Sequence, residues 1–188
     1  MLIKIFYINL DERIDRKKHM EKLLTGYDYE RISAIKTKRG YFGCVKSHIK
    51  CLKLAKERNL ENVIILEDDF VYKGKTTLKD MLIPTDYNML LLCNIIKKKM
   101  HHDDNFNRVN VAEWTGGHCV NKRFYDILID TFEKSLAELE VRYCRSNYLD
   151  VYWNKVFENH VVLTHTNMIG TQMESYSDVK NKIMKRKN

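Results

Sequence analysis

Three consecutive carboxylates, Glu67, Asp68 and Asp69, follow directly on the apolar run Val63-Ile64-Ile65-Leu66. Acids packed side by side repel one another and each is costly to desolvate, so they call for water or a cation. Hard divalent ions such as Mg²⁺ and Mn²⁺ take oxygen ligands, and one seated here would also hold a phosphorylated substrate. The competing reading is a solvated turn at a strand end. Arg13 and Arg16 are either surface charge or donors at the mouth of the same crevice. His48, next to Ser47, reads as a hydrogen-bonded helix histidine near the core or as a catalytic or metal-binding group. His101, His102, Asp103 and Asp104 are metal-binding types, but neighbours in a loop usually point in different directions.

These residues need elements to hold them. Val63 to Leu66 is short, β-branched and apolar on both faces, as in a central parallel strand whose polar end opens into a ligand crevice. Leu2 to Asn9 reads as a first buried strand, followed by a basic amphipathic helix to about Leu24 with acids in its first turn. Tyr29 to Ile35 is a second strand. Gly40 and Gly43 bracket Tyr41 and Phe42 ahead of a helix over about Cys44 to Arg58, and a helix entered through Gly43 would present free amides to a phosphate. Leu78 to Leu82 is a helical turn, Tyr87 to Cys93 an apolar strand, and Lys97 to Asn107 an aperiodic mobile loop. Val109 to Glu113 and Gly117 to Val120 are two strands flanking Trp114. Lys122 to Leu139 and Asn147 to Phe157 are amphipathic helices, and Val161 to Thr164 is the last strand, with His165 after it. Strands alternating with helices predict an α/β layered fold.

The 188 residues suffice for one well-cored domain, with no Pro, Gly or Ser-rich linker to divide them. The N-terminal apolar run is broken by Lys4 and reads as neither signal peptide nor membrane span, which predicts a soluble, cytoplasmic protein. Five widely spaced cysteines without a Cys-x-x-Cys pair suit buried, reduced thiols. The net charge of +8 favours an anionic partner without choosing among nucleotide, acidic lipid, glycan or nucleic acid. It gathers over Arg31 to Lys53, over Lys97 to Lys99 and in a basic tail over 180–188, distinct from a domain over 1–179.

Several stretches in order resemble glycosyltransferase family 25, which includes lipooligosaccharide and collagen hydroxylysine galactosyltransferases. They are Phe6-Tyr7-Ile8-Asn9-Leu10-Asp11-Glu12-Arg13-Ile14-Asp15-Arg16, Gly43-Cys44-Val45-Lys46-Ser47-His48, and Ile64-Ile65-Leu66-Glu67-Asp68-Asp69. Weaker similarities cover Tyr87 to Cys93, Trp114 to Asn121, Asp150, Thr164-His165 and Ser177-Asp178. The chain departs where many relatives carry Gly-Glu-Ile-Gly, having Gly40-Tyr41-Phe42-Gly43, and where they have Tyr, having His118.

The resemblance implies a single GT-A-like α/β domain with a mostly parallel central sheet flanked by helices, a UDP-sugar donor, Mn²⁺ or Mg²⁺, and transfer with inversion to a glycan or glycoprotein hydroxyl. It implies Glu67, Asp69 and His165 as metal ligands, with Asn9, Leu10, Arg13, Arg16, Ser47, His48 and Asp68 toward the donor. Asp150 is the candidate general base, or the cap of its own helix. The basic tail offers peripheral membrane contact, and no nucleic-acid partner is expected. Two rival readings are a basic binding module for nucleic acid or acidic lipid, and a family member that binds donor without turnover.

Overall fold

The computed structural model describes residues 3–177 and 182–184, the latter strand and residues 175–177 as backbone only. Its centre is a six-stranded sheet in the order β2 (Tyr29–Ser33), β1 (Lys4–Asn9), β3 (Asn62–Glu67), β6 (Phe106–Asn121), β5 (Met89–His101) and β7 (Val162–His165). The β1–β2, β1–β3 and β5–β7 pairs are parallel, and β6 alone runs against its neighbours. The expected mostly parallel α/β sheet is therefore present.

Strand alternation builds two cores. Phe6 and Ile8 of β1 and Val63 and Ile65 of β3 face one side. There α2 (Gly40–Glu57) contributes Val45, Ile49 and Leu52, and α3 (Tyr125–Val141) contributes Leu128 and Phe132. Ile5 and Tyr7, Ile64 and Leu66 face the other, against Met20 of α1 (Ile14–Leu23) and Leu24 just beyond it. Burial on both faces explains why β3 is apolar without alternation. Each such Leu or Ile contributes about 1.5–3 kcal/mol of transfer free energy.

Several boundaries differ from expectation. Helix α2 starts at Gly40 rather than Cys44, because Tyr41 and Phe42 stack on Tyr148 and Tyr143 and so stabilise a first turn that its glycines disfavour. Gly43 lies inside the helix: a Cβ there would meet the Ile35 carbonyl oxygen at 2.2 Å. The glycine serves close packing rather than an open amide terminus.

The stretch read as a mobile loop over Lys97 to Asn107 is mostly strand, since β5 runs to His101 and β6 begins at Phe106. Backbone pairing of Ile95 to His101 with Asn107 to Glu113 holds this exposed ribbon without a side-chain pattern to announce it. The two strands expected around Trp114 are one continuous β6. The helix expected over Asn147 to Phe157 is a short α4 (Leu149–Tyr152) followed by a 3₁₀ turn to Val156.

Unforeseen three-residue strands complete the chain: β4 (Phe70–Tyr72) pairs with β8 (Gly170–Gln172), and β9 (Ser175–Ser177) with β10 (Lys182–Met184). The expected domain boundary at 179/180 falls between the last two. Asp178 and the tail residues Lys180, Lys185, Arg186 and Lys187 lie outside the described residues. Among the described residues no helix is long and apolar enough to cross a membrane, and all five cysteines are free thiols.

Candidate active site

Parallel register sets Ile8 of β1 beside Glu67 of β3, so the next residues out on each strand, Asn9 and Asp68, meet at the polar edge of the sheet. The Asn9 amide donates to Asp68 at 2.8 Å and to the Arg13 carbonyl at 3.1 Å, and its oxygen accepts from Arg31 at 2.9 Å. Arg16, projecting from α1, donates to Asp68 at 2.6 Å and stands 3.5 Å from Asp69. Asn9, Arg16 and Asp68 are thus one buried polar brace. Burial raises the Asp68 carboxyl above its ordinary range although the Arg16 charge opposes the shift. Leu10 accepts the Arg13 backbone N–H at 2.9 Å, closing the turn into α1, and the Arg13 guanidinium pairs with Asp15 at 2.8 Å.

Glu67 turns toward the α2 side. Its two oxygens accept from Thr115 at 2.5 Å and Gln172 at 3.0 Å, and His48 Nε2 stands 3.4 Å away. Burial works against its ionisation, but the His48 and Thr115 contacts outweigh burial and hold the carboxyl below its ordinary range. Thr115 comes from β6, brought alongside because Leu66 pairs with Gly117. Gln172 comes from β8, brought in by the pairing of Phe70 with Gln172. Cys44, His48 and Glu67 offer ligand atoms within 4.8 Å of one another, the group of three potential metal donors found among the described residues.

Asp69 is the third acid. Burial and the charge of Glu67 push its carboxyl up to about 7, against the pull of Arg16, and its Oδ1 is buried without a hydrogen-bond partner. Of the ligands that the sequence suggests, Asp69 keeps a buried oxygen of the kind a hard divalent ion would satisfy, whereas both oxygens of Glu67 already accept hydrogen bonds.

His165 ends β7, which stands three strands from β3, roughly 14 Å at ordinary strand spacing. It packs on Phe106 with ring centroids 5.0 Å apart, and Glu67, Asp69 and His165 do not form a close donor group. It is Gln172, seven residues further along the chain, that reaches the acids.

Ser47 is spent within the fold: its hydroxyl donates to the Gly43 carbonyl at 2.7 Å and accepts the Ile35 N–H at 2.8 Å. His118, the departure noted above, is fully buried between His48 and Trp153, with ring centroids 5.5 and 5.7 Å away. His101 and His102 stay in the exposed β5–β6 ribbon, away from the acids.

Asp150, at the start of α4, accepts the Trp114 backbone N–H at 3.2 Å and faces Arg145 at 3.6 Å. Burial raises its carboxyl above the ordinary range, the property a general base needs to hold a proton. Thr115 lay within a block matched by resemblance but was not singled out. Cys44 likewise lies within a block matched by resemblance, whereas Gln172 carries no local signal for a role, since neither periodicity nor spacing reports a contact made across the fold.

Comparison with known proteins sets this geometry in context. A sequence search of curated proteins returned no significant match. Among solved structures the fold is similar to a glycosyltransferase involved in glycosylation of the major capsid of PBCV-1 (TM-score 0.53, 12% identity, covering 84% of this chain and 76% of that one). It is also similar to a protein from STIV (TM-score 0.54, 11% identity, covering 100% and 96%). A third is the glycosyltransferase GlyE of Streptococcus pneumoniae TIGR4 (TM-score 0.51, 7% identity, covering 87% of this chain and 45% of that one). At these identities the likeness is one of fold. The model of glycosyltransferase family 25, described as an LPS biosynthesis protein family, matches residues 38–176, a span that holds the acid triplet, Thr115, Asp150 and Gln172, and the chain belongs to that family.

Proposed function

We propose that this glycosyltransferase is metal-dependent and moves a hexose, galactose or glucose, from a UDP-sugar to a glycan or glycosylated-protein hydroxyl, with inversion. The observation that carries the reading is Asp69, a buried carboxylate with an unmatched oxygen at the polar end of β3. Asp69, with Glu67 beside it, would hold Mn²⁺ or Mg²⁺, whose charge stabilises a departing diphosphate. At an effective dielectric near 20, unit charges about 4 Å apart gain roughly 4 kcal/mol.

The remaining work falls to the chain itself. Arg16 and Asn9 fix Asp68 by hydrogen bonds, so the neighbouring acids keep their positions. Thr115 and Gln172 orient Glu67. Single displacement needs one base on the acceptor side, and Asp150, with its raised affinity for a proton, takes the proton from the attacking hydroxyl.

Thermal-shift and UDP-release measurements test this. The wild-type chain should melt higher with UDP and Mn²⁺ together than with either alone, and Asp69→Ala should lose that shift and at least 100-fold in UDP release while its circular dichroism stays native. Turnover that survives Asp69→Ala removes the metal-centred reading. Salt-dependent binding of nucleic acid or acidic vesicles, indifferent to UDP and Mn²⁺, would replace it with a binding module.

A further inference from the structure

We infer that Cys44, His48 and Glu67 form a site for a thiophilic divalent cation of the zinc type, and that its occupancy inhibits turnover by engaging the carboxylate that the hard ion would share. The inhibition rests on the transferase reading above; the binding does not. Cys44 and His48 stand four residues apart in α2, so their side chains leave one face of the helix a turn apart. Glu67 ends β3 and turns toward that helix. Thiol, imidazole and carboxylate donor atoms all lie within 4.8 Å of one another.

The spacing inside the triad suits coordination better than hydrogen bonding. His48 Nε2 stands 3.4 Å from Glu67 Oε1, beyond the roughly 2.7–3.2 Å of an ordinary N–H···O bond. Two ligands that are each about 2.0–2.1 Å from a tetrahedral zinc lie about 3.3–3.4 Å apart, so an ion fits between these atoms with little movement. The imidazole is poorly served otherwise: His48 is 1% exposed and its Nδ1 is buried without a hydrogen-bond partner. Burial and the charges of Glu67 and Asp150 push the Cys44 thiol well above its ordinary range. The same negative surroundings attract a cation, which takes the place of the thiol proton: Cys–SH and Zn²⁺ give Cys–S–Zn⁺, and H⁺ passes to the buffer.

Donor type separates this site from the one proposed at Asp69. Thiolate and imidazole select zinc over Mg²⁺ or Mn²⁺, whereas Asp69 offers oxygen alone. Glu67 can serve either ion, because each carboxylate oxygen has two lone pairs and keeps its hydrogen bond from Thr115 or Gln172 while facing a metal. Its side chain is 24% exposed, which leaves an approach from the crevice. Three protein ligands leave a fourth position for water. A zinc ion there holds Glu67 to the α2 side, away from an ion at Asp69.

The test uses the full chain, stripped of metal and with its thiols reduced. It is titrated with Co²⁺, which reports a sulfur ligand through a thiolate-to-metal charge-transfer band, and then with Zn²⁺, which should displace it. Wild type should show the band with its tightest equivalent of Co²⁺. Cys44→Ser and Cys44→Ala should lose the band and bind Zn²⁺ roughly tenfold or more weakly, with circular dichroism unchanged. Cys144→Ser, at the other half-buried thiol, should behave as wild type. Added to the chain in Mn²⁺, Zn²⁺ should cut UDP release by a large factor in wild type and leave Cys44→Ser nearly as active as without it.

A wild-type chain without the band, Cys44 variants that keep it, or its loss in Cys144→Ser each overturns the site. Zinc that binds through Cys44 yet leaves wild-type UDP release untouched overturns the inhibition. A chain that shows the Cys44-dependent band but releases no UDP with or without zinc would instead remove the transferase reading and leave the metal site standing.

Discussion

At the residue scale the acids are held by different means. Asp68 is 6% exposed and Arg16 8%, a buried pair 2.6 Å apart with Asn9 satisfying a second oxygen. Removing one partner of such a pair leaves an uncompensated buried charge, typically a loss of 3–5 kcal/mol. Arg16→Met, which keeps much of the packing stem, should therefore lower the unfolding free energy in urea by about that much at pH 7. A loss under 1 kcal/mol would mean that Asp68 simply takes up a proton, as its raised affinity permits. Sequence placed Asn9, Arg16 and Asp68 near a ligand; that they bind one another first follows from the strand register, which no local pattern encodes.

At the scale of elements, the site depends on a pair of strands too short to be legible. Gly170 of β8 lies against Phe70 of β4, where a Cβ would fall 2.0 Å from the ring, and Phe70 is fully buried and has no room to swing aside. Gly170→Ala should cost about 1–3 kcal/mol by overpacking, lowering the melting temperature by roughly 2–12 °C for a chain of this size. Scanning calorimetry checks this. It should also depress UDP release, because Gln172, two residues on, reaches Glu67 through the same pairing. An Ala variant with unchanged melting and turnover would show that β8 is not needed to seat the carboxylate. The long strands and helices were readable because their burial is periodic over many residues; β4, β8 and the exposed end of β5 are set by backbone partners distant in sequence.

At the scale of the whole molecule, the fold buries a neutral imidazole. His118 is fully enclosed, neither ring nitrogen has a hydrogen-bond partner, and burial with His48 nearby depresses its proton affinity well below the ordinary value. The unfolded chain takes up that proton below about pH 6.5 while the folded chain does not, so this contribution to stability is full above pH 6.5 and is lost as pH falls. His118→Leu should reduce the loss of urea stability between pH 7.5 and 5.5 by about 1 kcal/mol relative to wild type, the limit for one group being about 1.4 kcal/mol per unit. Equal slopes in the two proteins would place the acid sensitivity elsewhere. The residue resembled a change at a functional position, yet its neighbours His48 and Trp153 make it part of the core.

From sequence alone came the layered α/β class, the apolar central strand and the acids at its end, because uninterrupted burial and clustered charge are local properties written in consecutive residues. Only tertiary structure decided how those acids divide: Asp68 with Arg16 and Asn9, Glu67 with Thr115 and Gln172, and Asp69 with an oxygen left unmatched. It also decided the strained backbone at Trp114. Each of these depends on strand register and on contacts between segments up to 105 residues apart, and such contacts exist only once the chain has closed.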